Sequence, residues 1–160
     1  MSGPVIEIDV PGFGALALAH LVLDFNGTLA CDGGLLPGVS ERLAALAPKL
    51  SIHVLTADTH GTAATALAGM PCVLEIIGRT DQAEAKRRFI AALGADRVVA
   101  IGNGRNDRLM LAEAHLGIAV VQSEGASGET LAAADLIVPT IVDALDLLTH
   151  PMRLVASLRD

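Results

Sequence analysis

A single acidic side chain at the end of an apolar run is the first feature of the sequence that could do chemistry. Asp24 follows Leu21-Val22-Leu23 and begins the segment DFNGTL. A short apolar run of this kind is typical of a buried parallel strand, and α/β folds bind ligands at the carboxyl ends of such strands. Gly27 leaves the following loop free to adopt unusual dihedrals, which suits a nucleophile that approaches phosphate. The simpler alternative is an Asx turn that only ends the strand.

Three further polar positions follow in a strand-linked order. Thr56 comes after the apolar run 52–55, Lys86 lies in a predicted helix, and the segment GNGRND at 102–107 follows the run 98–101. Each has a structural alternative: Thr56 could end its strand, Lys86 could lie on a solvated basic helix face, and Asp107 could cap the next helix. Their order and strand placement together favour one polar site at the carboxyl edge of a sheet.

The elements that would position these residues alternate between strand and helix. The predicted strands are 6–10, 15–20, 21–23, 52–55, 73–77, 98–101, 117–121 and 136–138. The predicted helices are 40–47, 59–68, 81–94, 106–114, 129–134 and 141–148. Ser40 is the predicted cap of the first helix, and Asp81 and Glu84 are the predicted cap and first-turn pair of the third. This alternation predicts an α/β fold, a three-layer sandwich around a Rossmann-like, mostly parallel sheet.

The chain length is that of one domain, so we expect residues 1–160 to share one core. Within it we expect an N-terminal β-hairpin at 1–20 that lies at the sheet edge, a core at 21–148 and a C-terminal helix at 149–160. The predicted core positions are Val22, Leu55, Val99, Ile101, Ile118 and Ile137.

Composition excludes several classes of protein. The chain has 52% hydrophobic and 2% aromatic residues, so Leu, Ile, Val and Ala must fill the core. Its net charge of -7, with no extended basic surface, argues against nucleic-acid binding. Cys31 and Cys72 fit neither a zinc motif nor a disulfide framework, and the five histidines have no mutual ligand spacing, so we assign them no role. With no signal-peptide pattern and no apolar run long enough to cross a bilayer, we expect a cytoplasmic protein without a membrane partner.

With these motifs in order, the sequence resembles the haloacid-dehalogenase (HAD) superfamily over about residues 21–148. The family pattern is an Asp that begins D-x-x-G-T, a Ser or Thr after a strand, a Lys, and an acidic loop; here these are Asp24, Thr56, Lys86 and the loop 102–107. Within the superfamily the chain looks most like the phosphorylation domain of P-type ATPases and their small soluble relatives, because the segments GIAV at 117–120 and AAAD at 132–135 also match.

The resemblance implies a Mg²⁺-dependent phosphohydrolase that forms an aspartyl-phosphate on Asp24. It implies catalytic roles for Asp24, Asn26, Thr56 and Lys86, and a Mg²⁺ site made by Asp24, the Asn26 carbonyl, Asn103 and Asp107. The residues that it implies for phosphate binding are Phe25, Gly27, Thr28, Thr56, Ala57, Lys86 and Asn106.

Two positions depart from the family pattern. Typical HAD phosphatases have an Asp two residues after the nucleophile, as acid and base, whereas this chain has Asn26. General acid-base assistance is worth about 10² to 10⁴ in rate, so we expect slow hydrolysis, a preference for good leaving groups such as acyl phosphates or nucleotides, or a phosphoenzyme that accumulates. The acidic loop opens with Asn103 instead of Asp, which predicts weaker Mg²⁺ binding.

The intervals 28–40 and 56–86 are too short for the cap domains of this superfamily, so we expect an open, uncapped site. Its substrate would be a phosphorylated small molecule or a phosphoprotein, and a neighbouring subunit of a homo-oligomer could cover the site, through the flap 31–37 or the N-terminal hairpin. The alternative function is a degenerate relative that binds Mg²⁺ and a phosphorylated ligand, or that holds a phosphoaspartate as a signal. A purely structural or partner-binding module is the third alternative.

Overall fold

A six-stranded, fully parallel sheet forms the centre of the protein in the computed structural model, which describes residues 5–58 and 60–160. The strands in sequence order are β1 Ile6–Val10, β2 Gly14–Leu18, β3 His20–Asp24, β4 Ala30–Cys31, β5 Gly34–Leu35, β6 Ser51–Thr56, β7 Val73–Ile76, β8 Val98–Gly102, β9 Leu116–Val120 and β10 Leu136–Val138. The order in the central sheet is β10-β9-β8-β3-β6-β7. The predicted parallel α/β fold is therefore confirmed.

Helices cover both faces of this sheet. They are α1 Val39–Leu46, α2 Thr62–Ala66, α3 Gln82–Leu93, α4 Arg108–Glu113, α5 Gly128–Ala133, α6 Ile141–Thr149 and α7 Met152–Leu158, with two short 3₁₀ helices at Ala95–Arg97 and Arg105–Asp107. On one face α1, α2, α6 and α7 pack over side chains such as Leu21 and Leu23, and on the other α3, α4 and α5 pack over Val22 and its neighbours. Successive strand residues thus enter different cores, which explains the continuous apolar runs in the sequence.

The strand order places a topological switch point at β3. The chain leaves β3 towards β6 on one side and later returns to β8 on the other. In open α/β sheets the crevice at such a point, outside the carboxyl ends of the strands, is the usual ligand site. Asp24 is the last residue of β3 and therefore lies at this crevice.

The loops beside the crevice are short. Between β3 and α1 the chain has only the β4–β5 hairpin, and between β6 and α3 its described residues contain only α2 and β7. Neither interval holds an inserted cap domain, as predicted. No helix in the described part of the chain is long and apolar enough to span a bilayer.

The prediction that the N-terminal hairpin lies at the sheet edge is wrong. Strands β1 and β2 form a separate antiparallel sheet, and their side chains Ile6, Val10, Leu16 and Leu18 are buried in the main core. The N–H of Ala19, which follows β2, donates to the carbonyl of Arg97 just before β8. Burial of this apolar face holds the hairpin near the amino ends of the central strands, away from the crevice. Residues 1–4 of the predicted hairpin segment are outside the described residues.

One predicted helix cap and one predicted core residue are also wrong. Gly38, with a φ of 86°, precedes α1, so Ser40 lies inside the helix. Asp81 is found at the N-cap of α3 and Glu84 in its first turn, as predicted, but the Asp81 side chain accepts no capping hydrogen bond and Glu84 pairs with Arg87. Ile137 is 55% exposed because it belongs to the edge strand β10, where every second side chain points away from the core. The first predicted residue of the second helix, Thr59, is outside the described residues; α2 is found at Thr62–Ala66.

Candidate active site

Three strand ends and one helix bring the predicted residues together. Asp24 ends β3, Thr56 ends β6, Asn103 follows β8, and Lys86 reaches over from α3. They surround an open cleft of about 460 Å³. The predicted site residues that line this cleft are Asp24, Asn26, Thr56, Ala57, Lys86, Asn103 and Asn106.

Lys86 is the buried centre of the charged groups. Its side chain is 1% exposed, and Nζ donates to Oδ1 of Asp24 at 3.0 Å and to Oδ1 of Asp107 at 2.7 Å. The prediction left open whether Lys86 lies on a solvated helix face, and this burial excludes that alternative. A lysine that is buried between two carboxylates fixes the position of both oxygens.

Asp107 is held on both of its oxygens. Oδ1 accepts from Lys86, and Oδ2 accepts from the backbone N–H groups of Asn103 and Gly104, at 3.0 and 2.9 Å. A Cβ at Gly102 would lie 2.6 Å from the Asp107 carboxylate, so only glycine allows this approach. Asp107 thus anchors the loop 102–107 beneath the cleft, and it is not among the cleft-lining residues.

Burial and the neighbouring charges shift the pKa values of Asp24 and Lys86. Burial, and next the charge of Asp107, raise the pKa of Asp24, while Lys86 and the N–H of Phe25 oppose the rise, and together these effects place it at about 7. Burial disfavours the charge on Lys86, but Asp24 and Asp107 outweigh it and raise the pKa of Lys86. The protein alone therefore stabilises ionised Asp24 poorly, and a bound cation would favour the ionised form.

The loop after Asp24 is closed by its own backbone. The N–H of Gly27 donates to the carbonyl of Ala30, and that of Thr28 donates to the carbonyl of Phe25. The Phe25 ring is buried in the core, and neither Phe25, Gly27 nor Thr28 is among the cleft-lining residues. The structure therefore does not bring these three predicted phosphate-binding residues to the cleft surface.

Thr28 instead lies between the nucleophile candidate and the acidic loop. Its hydroxyl is within 3.4 Å of Oδ2 of Asp24 and 3.3 Å of Oδ1 of Asn103. Gly27 makes this approach possible, because it has a φ of 80° and a Cβ there would lie 2.4 Å from Nδ2 of Asn103. The glycine of the DFNGTL segment is thus required both by its backbone conformation and by the side chain that packs against it.

The residues expected to hold Mg²⁺ supply oxygen donors of the right kind. Asp24, Asn26 and Asn103 all line the cleft, and hard cations prefer carboxylate, amide and carbonyl oxygens. The described residues contain no group of three His, Cys, Asp or Glu side chains that could hold a metal ion. The donors therefore fit a hard cation with few protein carboxylates and retained water, which is usual for Mg²⁺, and do not fit zinc.

Neutral groups from Thr56, Ala57 and Asn106 also line the cleft. Oγ1 of Thr56 accepts from the N–H of Asp58, which leaves its own hydroxyl proton free to be donated into the cleft. Asn106 donates through Nδ2 to Oε1 of Gln82 on α3. A hydroxyl and an amide of this kind can donate hydrogen bonds to anionic oxygens.

The sequence interpretation missed five polar residues that line the cleft: Asp58, His60, Arg79, Gln82 and Glu124. Asp58 accepts from the N–H groups of His60 and Ala63, and these backbone bonds lower the pKa of its carboxyl. Asp58 and Glu124 follow the ends of β6 and β9, so the rule that strand ends carry function could have found both. His60, Arg79 and Gln82 come from loops and α3, and no sequence signal marks them.

The histidines that received no role include one close pair. Nδ1 of His20 and Nε2 of His53 lie 3.2 Å apart, at the amino-terminal part of β3 and on β6, away from the cleft. Burial lowers the pKa of both rings. Spacing along the chain concealed this pair, because residues 33 positions apart meet only through strand pairing.

No protein-family profile matches the chain. Among curated proteins, it is 50% identical over 64 residues to the uncharacterized protein MJ0073 of Methanocaldococcus jannaschii, which covers 40% of this chain and 69% of the relative. A second protein of that organism, uncharacterized protein MJ0072, is 49% identical over 39 residues, 24% of this chain and 89% of the relative.

Solved structures with the same fold include HAD hydrolases and the catalytic domain of a CPx-ATPase. The cobalt-bound deoxy-D-mannose-octulosonate 8-phosphate phosphatase of Haemophilus influenzae has a TM-score of 0.69 at 14% identity, over 87% of this chain and 91% of the other. The corresponding phosphatase of Moraxella catarrhalis, in complex with magnesium, phosphate and sugar acid, has a TM-score of 0.66 at 16% identity, over 87% and 90%.

The catalytic domain of the CPx-ATPase CopB has a TM-score of 0.54 at 24% identity, over 76% of this chain and 45% of the other. The resemblance to both groups, first indicated by the four sequence motifs, is therefore confirmed at the level of the fold. The chain belongs to the family of the archaeal protein MJ0073, and its fold is that of the haloacid-dehalogenase hydrolases.

Proposed function

We propose that the protein is a Mg²⁺-dependent phosphohydrolase that acts through an aspartyl-phosphate on Asp24. The observation that carries the proposal is the buried Lys86, which holds one oxygen of Asp24 and one of Asp107 at the floor of an open polar cleft. The fold supports it, because structural neighbours include phosphatases with bound magnesium or cobalt. A carboxylate with a raised pKa beside a buried lysine in a cleft is typical of catalytic sites.

The residues that would hold the cation are Asp24, through its carboxylate, Asn26, through its backbone carbonyl, and Asn103, through its amide oxygen. When bound, a divalent cation would offset the negative charges of the carboxylate and the phosphoryl group. Asp107 has both oxygens engaged, so its part in the proposal is to position Lys86 and the backbone of the acidic loop.

In the first step an oxygen of Asp24 forms a bond to phosphorus, and the bond between phosphorus and the leaving-group oxygen breaks with its electron pair on the leaving group. In the second step a water oxygen attacks the same phosphorus, and the bond to Asp24 breaks, which releases inorganic phosphate and restores the carboxylate. Lys86 offsets the charge that accumulates on the Asp24 side, and the hydroxyl of Thr56 and the amide of Asn106 face the phosphoryl oxygens.

Asn26 makes slow turnover part of the proposal. It lines the cleft at the position where an acid and base would protonate the leaving group and then activate water. Asp58 does not replace it, because backbone N–H groups hold its carboxylate and keep its pKa low. The best substrates should then be phosphorylated small molecules or phosphoproteins whose leaving group departs without a proton, such as acyl phosphates.

The same observation favours a second candidate function. A site that forms the aspartyl-phosphate but activates water poorly would hold the phosphoryl group as a stable mark, so the protein would act as a phosphoaspartate carrier or phosphate-ligand binder. Intact-mass analysis together with phosphate release separates the two. The full chain is incubated with Mg²⁺ and acetyl phosphate or p-nitrophenyl phosphate, and compared with Asp24→Asn.

Phosphate release that Asp24→Asn abolishes supports the phosphohydrolase. A phosphate-sized mass increase without release, also lost in Asp24→Asn, supports the carrier. Neither signal with either substrate would contradict both functions.

A further inference from the structure

A turn outside the four HAD motifs is hydrogen-bonded to both loops that carry the proposed metal ligands. This turn, Gln122–Gly125, follows β9. Nε2 of Gln122 donates to the carbonyls of Gly27 and Thr28, at 3.1 and 3.0 Å, and its Oε1 accepts from the N–H of Ile141 at the start of α6. The turn is therefore fixed against the loop that carries the nucleophile.

Asn103 fixes the turn from the other side. Its Nδ2 donates to the carbonyl of Gly125 at 3.0 Å, and its own carbonyl accepts from the N–H of Ser127. An aspartate at position 103 has no proton to donate and would place a carboxylate against the Gly125 carbonyl. The amide at position 103 is thus used to hold the Gln122–Gly125 turn, which accounts for the departure from the family's aspartate.

The tip of this turn presents a carboxylate to the cleft. Glu124 is exposed and lines the cleft together with Asp24, Asn26 and Asn103. Its carboxylate has no hydrogen bond or ion pair to the described residues, whereas Asp24 and Asp107 both share the Lys86 ammonium. Those two carboxylates and the one ammonium give the floor of the cleft a net charge of only about -1, which is little to hold a divalent cation.

We propose that Glu124 supplies the negative charge toward the divalent cation that position 103 lacks, while Asn103 holds the turn that carries Glu124. Relative to the family pattern, the carboxylate lies on the Gln122–Gly125 turn instead of at position 103, and position 103 carries an amide. This inference rests on the proposed cation site and deepens it, since it assigns a residue from outside the family motifs to cation binding.

The test is isothermal titration of the full chain with MgCl₂ at pH 8. Glu124→Gln should weaken Mg²⁺ binding by about tenfold, which is the usual effect of a residue that supports a metal site. Its melting temperature should stay that of the native chain, because the exposed Glu124 carboxylate makes no hydrogen bond or ion pair with the described residues. The matched control is Glu129→Gln, whose carboxylate pairs with Arg105 and Arg108 outside the cleft and whose loss should leave Mg²⁺ affinity unchanged.

A double-mutant cycle with Asn103→Asp tests this relationship between the two positions. If Glu124 supplies the negative charge that an aspartate at position 103 would otherwise supply, Asn103→Asp should raise Mg²⁺ affinity more in the Glu124→Gln background than in the native chain. Additive effects, or equal affinity of Glu124→Gln and the native chain, would overturn the inference. Asp24→Asn separates this failure from that of the proposed function: if Asp24→Asn weakens binding and Glu124→Gln does not, the cation site stands and only the role of Glu124 fails.

Discussion

Nζ of Lys86 lies 2.7 Å from Oδ1 of Asp107, and neither side chain is more than 1% exposed. The same ammonium also holds Asp24, so one positive charge compensates two buried carboxylates. Burying a charge without a partner is strongly unfavourable. The stability of the fold and the geometry of the site therefore depend on the same three side chains.

The first prediction concerns removal of this ammonium. Lys86→Met keeps the volume of the side chain but leaves Asp24 and Asp107 unpaired, so it should lower the free energy of unfolding by about 3–5 kcal/mol in urea denaturation. Arg88→Met is the matched control, since Arg88 is an exposed basic residue on the same helix, and its effect should stay within about 0.5 kcal/mol.

A second variant keeps this prediction testable if Lys86→Met does not fold. Lys86→Met combined with Asp24→Asn removes one of the two unpaired charges and should recover part of the lost stability. Equal stability of Lys86→Met and the native chain would show that the three charges do not depend on one another.

The second prediction is a pH dependence of stability. The pKa of Asp24 is raised from 3.8 to about 7 in the folded protein, so the folded state holds this proton more tightly than the unfolded state does. The contribution of Asp24 to stability is then fully present below about pH 4 and is lost as the pH rises to about 7. Relative to Asp24→Asn, the native chain should therefore lose stability across this interval.

Urea denaturation of both proteins at a series of pH values, with a chelator present, measures this difference. Titrating groups that do not interact with Asp24 are common to both chains and cancel in it. A difference that stayed constant from pH 4 to 7, or that grew in favour of the native chain, would show that the pKa of Asp24 is not raised.

The third prediction separates two causes of lost stability when Gly27 is substituted, which are backbone strain and steric contact with Asn103. Gly27→Ala places a Cβ at a φ of 80° and 2.4 Å from Nδ2 of Asn103. Gly69→Ala is the control, because Gly69 has a φ of 78° and nothing within 4 Å of the added Cβ. The control should cost about 1–2 kcal/mol from backbone strain alone, whereas Gly27→Ala should cost more in urea denaturation. Equal losses would mean that Asn103 moves aside freely.

The sequence predicted the parallel sheet and the strand ends that line the cleft, because these depend on local patterns. Asp24 and Thr56 end apolar strands, and strand ends of a parallel sheet must meet at one edge. The position of the N-terminal hairpin depends on which apolar surface remains to be covered after the helices have packed, and a local pattern does not contain that information.

Local sequence patterns also could not predict several features of the site. The burial of Lys86, the closure of the Gly27 amide onto Ala30 and the fixed Gln122–Gly125 turn all come from contacts between residues distant in the chain or from backbone geometry. Motif order indicated that Lys86 belongs to the site, but only the fold shows that Asp107 supports it rather than facing the cleft.

The last prediction concerns the residue at the acid-base position. Asn26→Asp adds a carboxyl group that exchanges protons, so it should speed breakdown of the aspartyl-phosphate on Asp24, by about 10² to 10⁴ if general acid-base assistance is what the native chain lacks. The measurement is phosphate release per mole of protein with acetyl phosphate, together with the phosphorylated fraction by intact mass.

The phosphorylated fraction should fall in Asn26→Asp as phosphate release rises, because dephosphorylation is the step that is accelerated. Asn26→Ala, which removes the amide without adding a proton donor, should remain as slow as the native chain. If Asn26→Asp and Asn26→Ala release phosphate at the same rate, the slow step lies elsewhere, and the exposed cleft with its open access to water becomes the better explanation for whatever turnover is measured.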